Sequence, residues 1–491
     1  MLFRMIYDDR LAEAAYLIGC QKTGEAILID PERDIDRYLA IAAREKLRVV
    51  AVAETHIHAD FLSGARELAE KTGATVYVSD EGDADWKYQW LDRKSGGGSY
   101  KHRLLKDSDT FSIGNIEFKA IHTPGHTPEH ICFLVTDRGG GADQPMGIVT
   151  GDFVFVGDLG RPDLLESAAG FAGKAEPSAR RLHRTLAKLN SLPDWLQVWP
   201  AHGAGSACGK ALGAVPQSTI GYEKRFNPAI LAGATEAGFV DFILSAQPEP
   251  PLYFARMKRD NKIGPRLLGE LPRPRDMTPE ELASIDTAKS AIIDTRPWDS
   301  FRSGHLPGAL FHPFDNSFLA DVGSMVQENE PIYLIAEPGA IEEIVRALVR
   351  IGYDDIRGYV EPSRFSQYVA GARLPATREL SVDQAAPLTD SPEWFVLDVR
   401  RAAEFAESHI EGAHNIAHTR LLAHLAEVPR NKQILVHCRS GGRSARACAL
   451  LQKHGYDVAN LAGGMLAWEK APHPRSDKSN AQPGAPSPAR P

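Results

Sequence analysis

Thr55-His56-Ile57-His58-Ala59-Asp60-Phe61 lies between two stretches of different character. Before it, Leu47-Arg48-Val49-Val50-Ala51-Val52-Ala53 is a short apolar run rich in β-branched residues, which predicts a largely buried strand. After it, residues 63–72 read as a helix. The heptapeptide is then the loop at a strand's carboxyl end, where α/β sheets place their ligands. Its two imidazoles and one carboxylate, at alternating positions, offer two neutral nitrogens and a hard oxygen to a divalent metal.

Outward from this loop, residues 1–247 read as one α/β unit. Apolar runs at Ala15–Ile18, Ala26–Asp30, Val49–Val52, Thr75–Val78, Ile116–His122, Ile131–Thr136 and Met146–Thr150 predict strands, and Ile35–Glu45 a helix. Gly-rich segments at 95–99 and 138–142 predict surface loops. Further polar residues stand at or just beyond apparent strand ends: His126 in Thr123-Pro124-Gly125-His126-Thr127, Asp152 in Thr150-Gly151-Asp152, and His202 in Trp199-Pro200-Ala201-His202-Gly203. Cys208 follows in Gly205-Ser206-Ala207-Cys208-Gly209. One pocket at a sheet edge can collect them all.

In order and context, His56, His58, Asp60, His126, Asp152 and His202 resemble the ligand set of the metallo-β-lactamase fold, which implies an αββα sandwich with metal at one edge. Two-metal hydrolases of that fold, the glyoxalase II type included, carry a histidine directly after the aspartate; here that place is Phe61. A second site built from Asp60 and His202 then lacks a ligand. That favours one metal held by His56, His126 and Asp152, a two-histidine, one-carboxylate face of the kind that holds non-haem Fe(II). The resemblance is to the persulfide dioxygenases and implies mononuclear Fe(II), dioxygen and a low-molecular-weight persulfide, of glutathione or coenzyme A, as reactants. His58, Asp60 and His202 are expected to orient the ligands. His122 and His130 are expected to be structural, and Cys20 and Cys132 buried apolar-like residues. Cys208 resembles a sulfane-sulfur carrier of dioxygenase–rhodanese fusions, and Arg161 and Arg225 are candidate contacts to an anionic thiol.

Beyond Gln247-Pro248-Glu249-Pro250-Pro251 the chain repeats itself. Asp294-Thr295-Arg296 parallels Asp398-Val399-Arg400, and His305 parallels His409, both at an offset of 104 (398 − 294 and 409 − 305). Gly352-Tyr353 parallels Gly455-Tyr456 at 103 (455 − 352). The repeat predicts two α/β domains in tandem, 265–376 and 380–473. In the second, strand-like Ile434-Leu435-Val436-His437 delivers Cys438 into Arg439-Ser440-Gly441-Gly442-Arg443-Ser444, and a helix follows. Main-chain N–H groups of such a loop hold an anion at its centre and activate the cysteine as a nucleophile. This loop resembles the rhodanese active site, with Cys438 and Arg443 catalytic and Arg439, Ser440, Gly441 and Gly442 lining the substrate. Counted from the Gly-Tyr pair, Ile335 and Ala340 stand where Cys438 and Arg443 should be, so the first copy is expected to be inactive.

The net charge of −8 and scattered basic residues exclude a nucleic-acid or anionic-membrane surface, and no apolar run spans a bilayer. Five irregularly spaced cysteines and no signal-peptide core place the chain in a reducing cytoplasm. A disordered tail is expected over 474–491, and an inactive central domain is expected to serve as spacer or as a contact in a homo-oligomer. The three-domain order resembles the persulfide dioxygenase–rhodanese fusions of sulfide detoxification. That resemblance implies oxidation of a persulfide to sulfite and sulfur transfer between sulfite and thiosulfate. A zinc thioester hydrolase joined to a sulfurtransferase and a non-catalytic sulfur carrier are the alternatives.

Overall fold

The computed structural model describes residues 1–167, 173–210 and 212–471, so the tail expected over 474–491 lies outside the described residues. The N-terminal unit is an αββα sandwich of two six-stranded sheets. The first sheet runs Leu2–Asp8, Glu13–Cys20, Glu25–Ile29, Arg48–Ala53, Thr75–Ser79, His102–Leu105; the second runs Ser218–Thr219, Gln197–Pro200, Gly147–Gly151, Ile131–Asp137, Ile116–His122, Thr110–Ile113. Tyr16, Ile18, Ile27, Phe118, Phe133, Val149 and Trp199 fill the space between the sheets. Helices Asp36–Arg44 and Ala65–Thr72 cover the first sheet, and Ala175–Ser191 and Glu236–Leu244 the second.

The predicted strands all lie within observed ones or overlap them. Leu2–Asp8, His102–Leu105 and Thr110–Ile113 escape the pattern reading: all three lie at sheet edges, the first two alternate weakly, and the third alternates over only four residues. The strands Ile116–His122, Gly147–Gly151 and Gln197–Pro200 run the same way and end at one edge, beside the carboxyl end of Arg48–Ala53. That common edge brings the four polar loops together.

The repeat forms two five-stranded parallel sheets of identical order. The first is Arg275–Asp276, Ile356–Val360, Ile332–Ile335, Ala291–Asp294, Leu310–Phe311; the second is Arg378–Leu380, Val458–Leu461, Gln433–His437, Trp394–Asp398, His414–Asn415. Sheet register corrects the pairing of the two copies. Asp294 pairs with Ile335 as Asp398 pairs with His437, so the residue in the place of Cys438 is Ala336, one position beyond Ile335. The count from the Gly-Tyr pair misses this because it runs back through two helices of unequal length. A methyl group still replaces the thiol.

The three units share one apolar cluster. It includes Phe61, Leu62, Phe155 and Cys208 of the sandwich, Tyr253 and Met257 of the connection, Leu319 and Leu348 of the first repeat, and Leu421 and Cys438 of the second. The connection is itself a helix, Phe254–Ile263, packed between sandwich and first repeat. Beside it, helix Ile341–Arg350 of the first repeat sends Arg350 to Asp34, Glu32 and Asp8 and Arg346 to Asp34 and Asp36. The two repeats meet through Asp321, which accepts from His418 at 3.0 Å and pairs with Arg446 at 2.6 Å.

Candidate metal centre and sulfur-transfer loop

The centre is assembled from loops held by hydrogen bonds of their own. Asp30, in a left-handed conformation (φ 52°) after Glu25–Ile29, accepts from the Thr55 N–H at 2.8 Å and the Thr55 hydroxyl at 2.9 Å. It also lies 3.0 Å from His58 Nε2. Glu129 accepts from the Ile57 N–H at 2.8 Å. Gly151 turns the second sheet's central strand at φ 51°, and a Cβ there would lie 2.5 Å from Thr55 Oγ1 and 2.7 Å from His130 Nε2. His130 accepts from the Asp152 N–H at 3.0 Å, which gives this histidine the structural role expected of it.

His56, His126 and Asp152 form one group of donor atoms and Asp60, His202 and Cys208 a second, the atoms of each group lying within 4.8 Å of one another. All six residues are buried. The Nδ1 atoms are engaged: His126 with the Arg161 carbonyl at 3.0 Å, His202 with that of Ala12 at 3.0 Å, and His56 with Thr55 Oγ1 at 3.0 Å. Each ring therefore turns Nε2 inward, as neighbours of metal-binding histidines usually arrange. His126 Nε2 lies 3.4 Å from Asp152 Oδ2, and His202 Nε2 lies 3.5 Å from Asp152 Oδ1 and 3.4 Å from Asp60 Oδ2. Both Asp152 oxygens, Asp60 Oδ2 and His202 Nε2 are buried without hydrogen-bond partners. Orphaned buried acceptors beside neutral imidazoles are costly alone and fit a cation.

The electrostatics agree with that fit. Burial drives His56 well down and His126 to about 4, so both rings are neutral ligands at pH 7. Burial raises Asp60 and Asp152 to about 6. His58 behaves differently: burial opposes its charge, but the Asp30 carboxylate prevails and lifts it to about 9. It belongs to neither donor group and braces the loop instead.

Cys208 is the unexpected neighbour. Phe61 is fully buried against His58, ring centroids 4.5 Å apart, and supplies no ligand, yet the Cys208 thiol stands beside Asp60 and His202. The expectation that the second site lacks a third donor is thus corrected by a residue remote in sequence. Burial, then Asp60 and Asp152, push this thiol far up, so without a cation it is protonated. Arg161 also departs from expectation. Its guanidinium donates to Asp163 at 2.8 and 2.6 Å and to the Ala207 carbonyl at 3.0 Å, so these donors brace the loop of Cys208, while its main-chain carbonyl is the partner of His126 Nδ1. Arg225 is exposed on helix Ile220–Phe226, outside the buried donor cluster.

In the second repeat Cys438 is buried at the end of Gln433–His437, with Arg439 and Ser440 exposed beside it. Its sulfur accepts from the Gly441 N–H at 3.2 Å and the Ser444 hydroxyl at 3.5 Å. Gly441, at φ 104°, lets the main chain curl around the sulfur, and Gly442 starts the following helix. Arg443 is held fork-on by Glu404, both bonds 2.7 Å. Asp398 and Arg400 brace the fold: Arg400 donates to Asp398 and to the Ser408 carbonyl, and Arg296 does the same with Asp294 and Gly304 in the first repeat.

A sequence profile of the metallo-beta-lactamase superfamily matches residues 8–202, and one of the rhodanese-like domain matches residues 278–361 and 381–471. The crystal structure of a metallo-beta-lactamase from Staphylococcus aureus subsp. aureus COL superposes with a TM-score of 0.65 at 41% identity, covering 74% of this chain and 99% of that one. The chain belongs to the metallo-β-lactamase superfamily. It adds two rhodanese-like domains to the superfamily's fold. A probable metallo-hydrolase of Burkholderia pseudomallei (strain 1710b) is 31% identical over 48% of this chain and 82% of its own. Persulfide dioxygenase ETHE1, mitochondrial, of Bos taurus is 24% identical over 48% of this chain and 78% of its own. Against two beta-lactamase hydrolase-like proteins, the match takes in only about half of their length, 53% and 54%.

Among the described residues all five cysteines are free and buried, and no helix is long and apolar enough to cross a membrane. Glu404 and Ser444 stood outside the predicted site. Ser444 was visible as the residue closing the loop, whereas Glu404, 39 positions before Arg443, carried no local signal.

Proposed function

We propose that this chain is an iron-dependent persulfide dioxygenase joined to a working sulfurtransferase. The overall oxidation would be persulfide plus dioxygen plus water giving thiol, sulfite and two protons. The observation that supports it best is the buried group of His56, His126 and Asp152, with apolar Phe61 in the place where two-metal hydrolases carry a histidine. Such a face leaves positions open on ferrous iron, which when bound supplies the redox chemistry that dioxygen requires. The chain's own residues prepare the place. Burial keeps His56 and His126 neutral, Thr55 and the Arg161 carbonyl fix their rings, and His130 fixes the main chain of Asp152.

In the second repeat, the Cys438 thiolate would attack the outer sulfur of a donor such as thiosulfate. A bond forms from Sγ to that sulfur as the S–S bond breaks and sulfite leaves. In the other direction, the sulfur atom of sulfite attacks the outer sulfur of the Cys438 persulfide, forming thiosulfate and returning the thiolate. The Gly441 N–H and Ser444 hydroxyl, already on Sγ, stabilise the anion in both directions.

The test is oxygen uptake by anaerobically iron-loaded full-length protein on adding glutathione persulfide, with metal measured on the same sample. Uptake with about one iron per chain is the expected result for this face. One observation favours a second reading, a zinc thioester hydrolase: Asp60, His202 and Cys208 converge beside Asp152. Absence of oxygen uptake, together with two zincs bound and turnover of a glutathione thioester, would replace the first reading by the second.

A further inference from the structure

The loop that carries the metal ligands is held in two halves by different parts of the chain. Positions 55–57 are fixed from within the sandwich, by Asp30 on Thr55 and Glu129 on Ile57. Positions 58–63 are fixed largely from outside it. Asn261, buried in the connecting helix Phe254–Ile263, donates from Nδ2 to the His58 carbonyl at 2.8 Å and the Phe61 carbonyl at 2.7 Å, and its Oδ1 accepts from the Ser63 N–H at 2.9 Å. The Leu62 N–H donates to the carbonyl of Arg350, the last residue of the inactive domain's helix Ile341–Arg350, at 2.7 Å. Four main-chain groups across the Asp60 segment therefore take their partners from the connecting helix and the inactive domain. Each would otherwise be a buried polar group without a partner.

The connecting helix is itself tied to the inactive domain. Arg256 donates to the Ile351 carbonyl at 2.7 Å and its guanidinium lies 4.5 Å over the Tyr353 ring. Leu62 and Met257 pack around Gly352, where a Cβ would meet both at 3.3 Å. Arg259 pairs with Glu328 at 2.6 Å. The helix that in the second repeat follows the sulfur cradle serves in the first as a buttress for the metal loop.

We propose that the inactive rhodanese domain is a working part of the metal centre, with Asn261 as the positioning residue that transmits its hold to the loop of His58 and Asp60. This rests on the reading of the two adjoining donor groups, His56, His126 and Asp152 with Asp60, His202 and Cys208, as a metal centre, and its folding control on the sulfur transfer proposed for Cys438, not on the identity of the metal or the reaction. Groups that orient metal ligands from behind typically change affinity about 10- to 100-fold when removed.

The experiment uses full-length protein, cobalt(II) as a spectroscopic probe, and Asn261→Leu and Asn261→Asp. The first removes all three hydrogen bonds at similar volume; the second keeps the acceptor for Ser63 but sets an oxygen against two carbonyls. Sulfur transfer at Cys438 reports folding independently of the metal. The expected result is a changed cobalt d–d spectrum and at least about tenfold weaker cobalt binding, with sulfur transfer within about twofold of the parent. A parental cobalt spectrum and affinity in folded Asn261 variants would overturn the proposal. If neither variant folds, Arg256→Met decides, because it loosens the helix from the inactive domain while leaving the loop contacts in place: an unchanged cobalt spectrum there overturns the proposal, and a shifted one supports it. Cobalt that fails to bind the parent protein would refute the metal reading itself, an outcome distinct from either.

Discussion

Replacing Arg350 by alanine tests whether the first rhodanese-like domain is bound to the sandwich by buried charge. Its guanidinium donates to both oxygens of Asp34, at 2.8 and 2.7 Å, lies 3.3 Å from Glu32 and also contacts Asp8, and its side chain is 9% exposed. Removing one partner of a buried pair leaves the others desolvated and typically costs about 3–5 kcal/mol. Arg346, 3.2 Å from Asp34, keeps part of the compensation, which places the expected loss near the lower end, at about 3 kcal/mol. The assay is urea unfolding followed by tryptophan fluorescence, on the parent, Arg350→Ala, Asp34→Asn and the double variant. A coupling energy of roughly 1–3 kcal/mol between the two sites is expected. A single-variant loss under about 0.5 kcal/mol, the range of ordinary surface changes, would refute the reasoning. It would mean that the Arg350 charge cluster adds little to the other contacts between the domains.

Four other predictions concern the two sites. Cys438→Ser should abolish sulfur transfer while leaving cobalt binding at the metal centre unchanged, and Ser444→Ala should slow transfer by about tenfold, the worth of one hydrogen bond to a developing charge; both are read as sulfur transfer from thiosulfate. Glu404 is lowered to about 2, first by its hydrogen bonds from Arg443. A depressed carboxyl adds stability that is present above its unfolded value near 4.3 and is lost as pH falls toward about 2. Acid unfolding of Glu404→Gln should therefore be less steep between roughly pH 4 and 2 than that of the parent, and identical curves would remove the role given to this pair. At the metal centre, burial raises metal-free Asp152 to about 6, and a cation must displace that proton. Cobalt affinity should be flat above roughly pH 6.5 and fall about tenfold per pH unit below about 5.5, checked by competition titration; a flat profile down to pH 5 would show that Asp152 is not a ligand.

Much of this architecture can be read along the chain because its signals are local. A strand that ends in a His-x-His-x-Asp loop, polar residues just beyond the strands ending at His122, Gly151 and Pro200, and a cysteine delivered into a Gly-Gly loop each lie within a few residues of the element that positions them. The lack of a thiol in the first copy was legible as well, because a thiol is either present or absent whichever of Ile335 and Ala336 occupies its place. Edge strands and the precise pairing of the copies were not, since four-residue strands give too short a pattern to read and register is settled by neighbouring strands.

The sequence by itself determined which donor types this protein holds and which of its two repeats has a cysteine at the end of its central strand. Tertiary structure alone decided that Cys208 joins Asp60 and His202, that Arg161 spends its donors on Asp163 and Ala207, that Glu404 grips Arg443, and that Asn261 holds a loop about 200 residues before it. The physical reason is that buried polar groups must be paired by whatever the fold brings within hydrogen-bonding reach, and that reach is a few ångströms in space with no fixed separation along the chain.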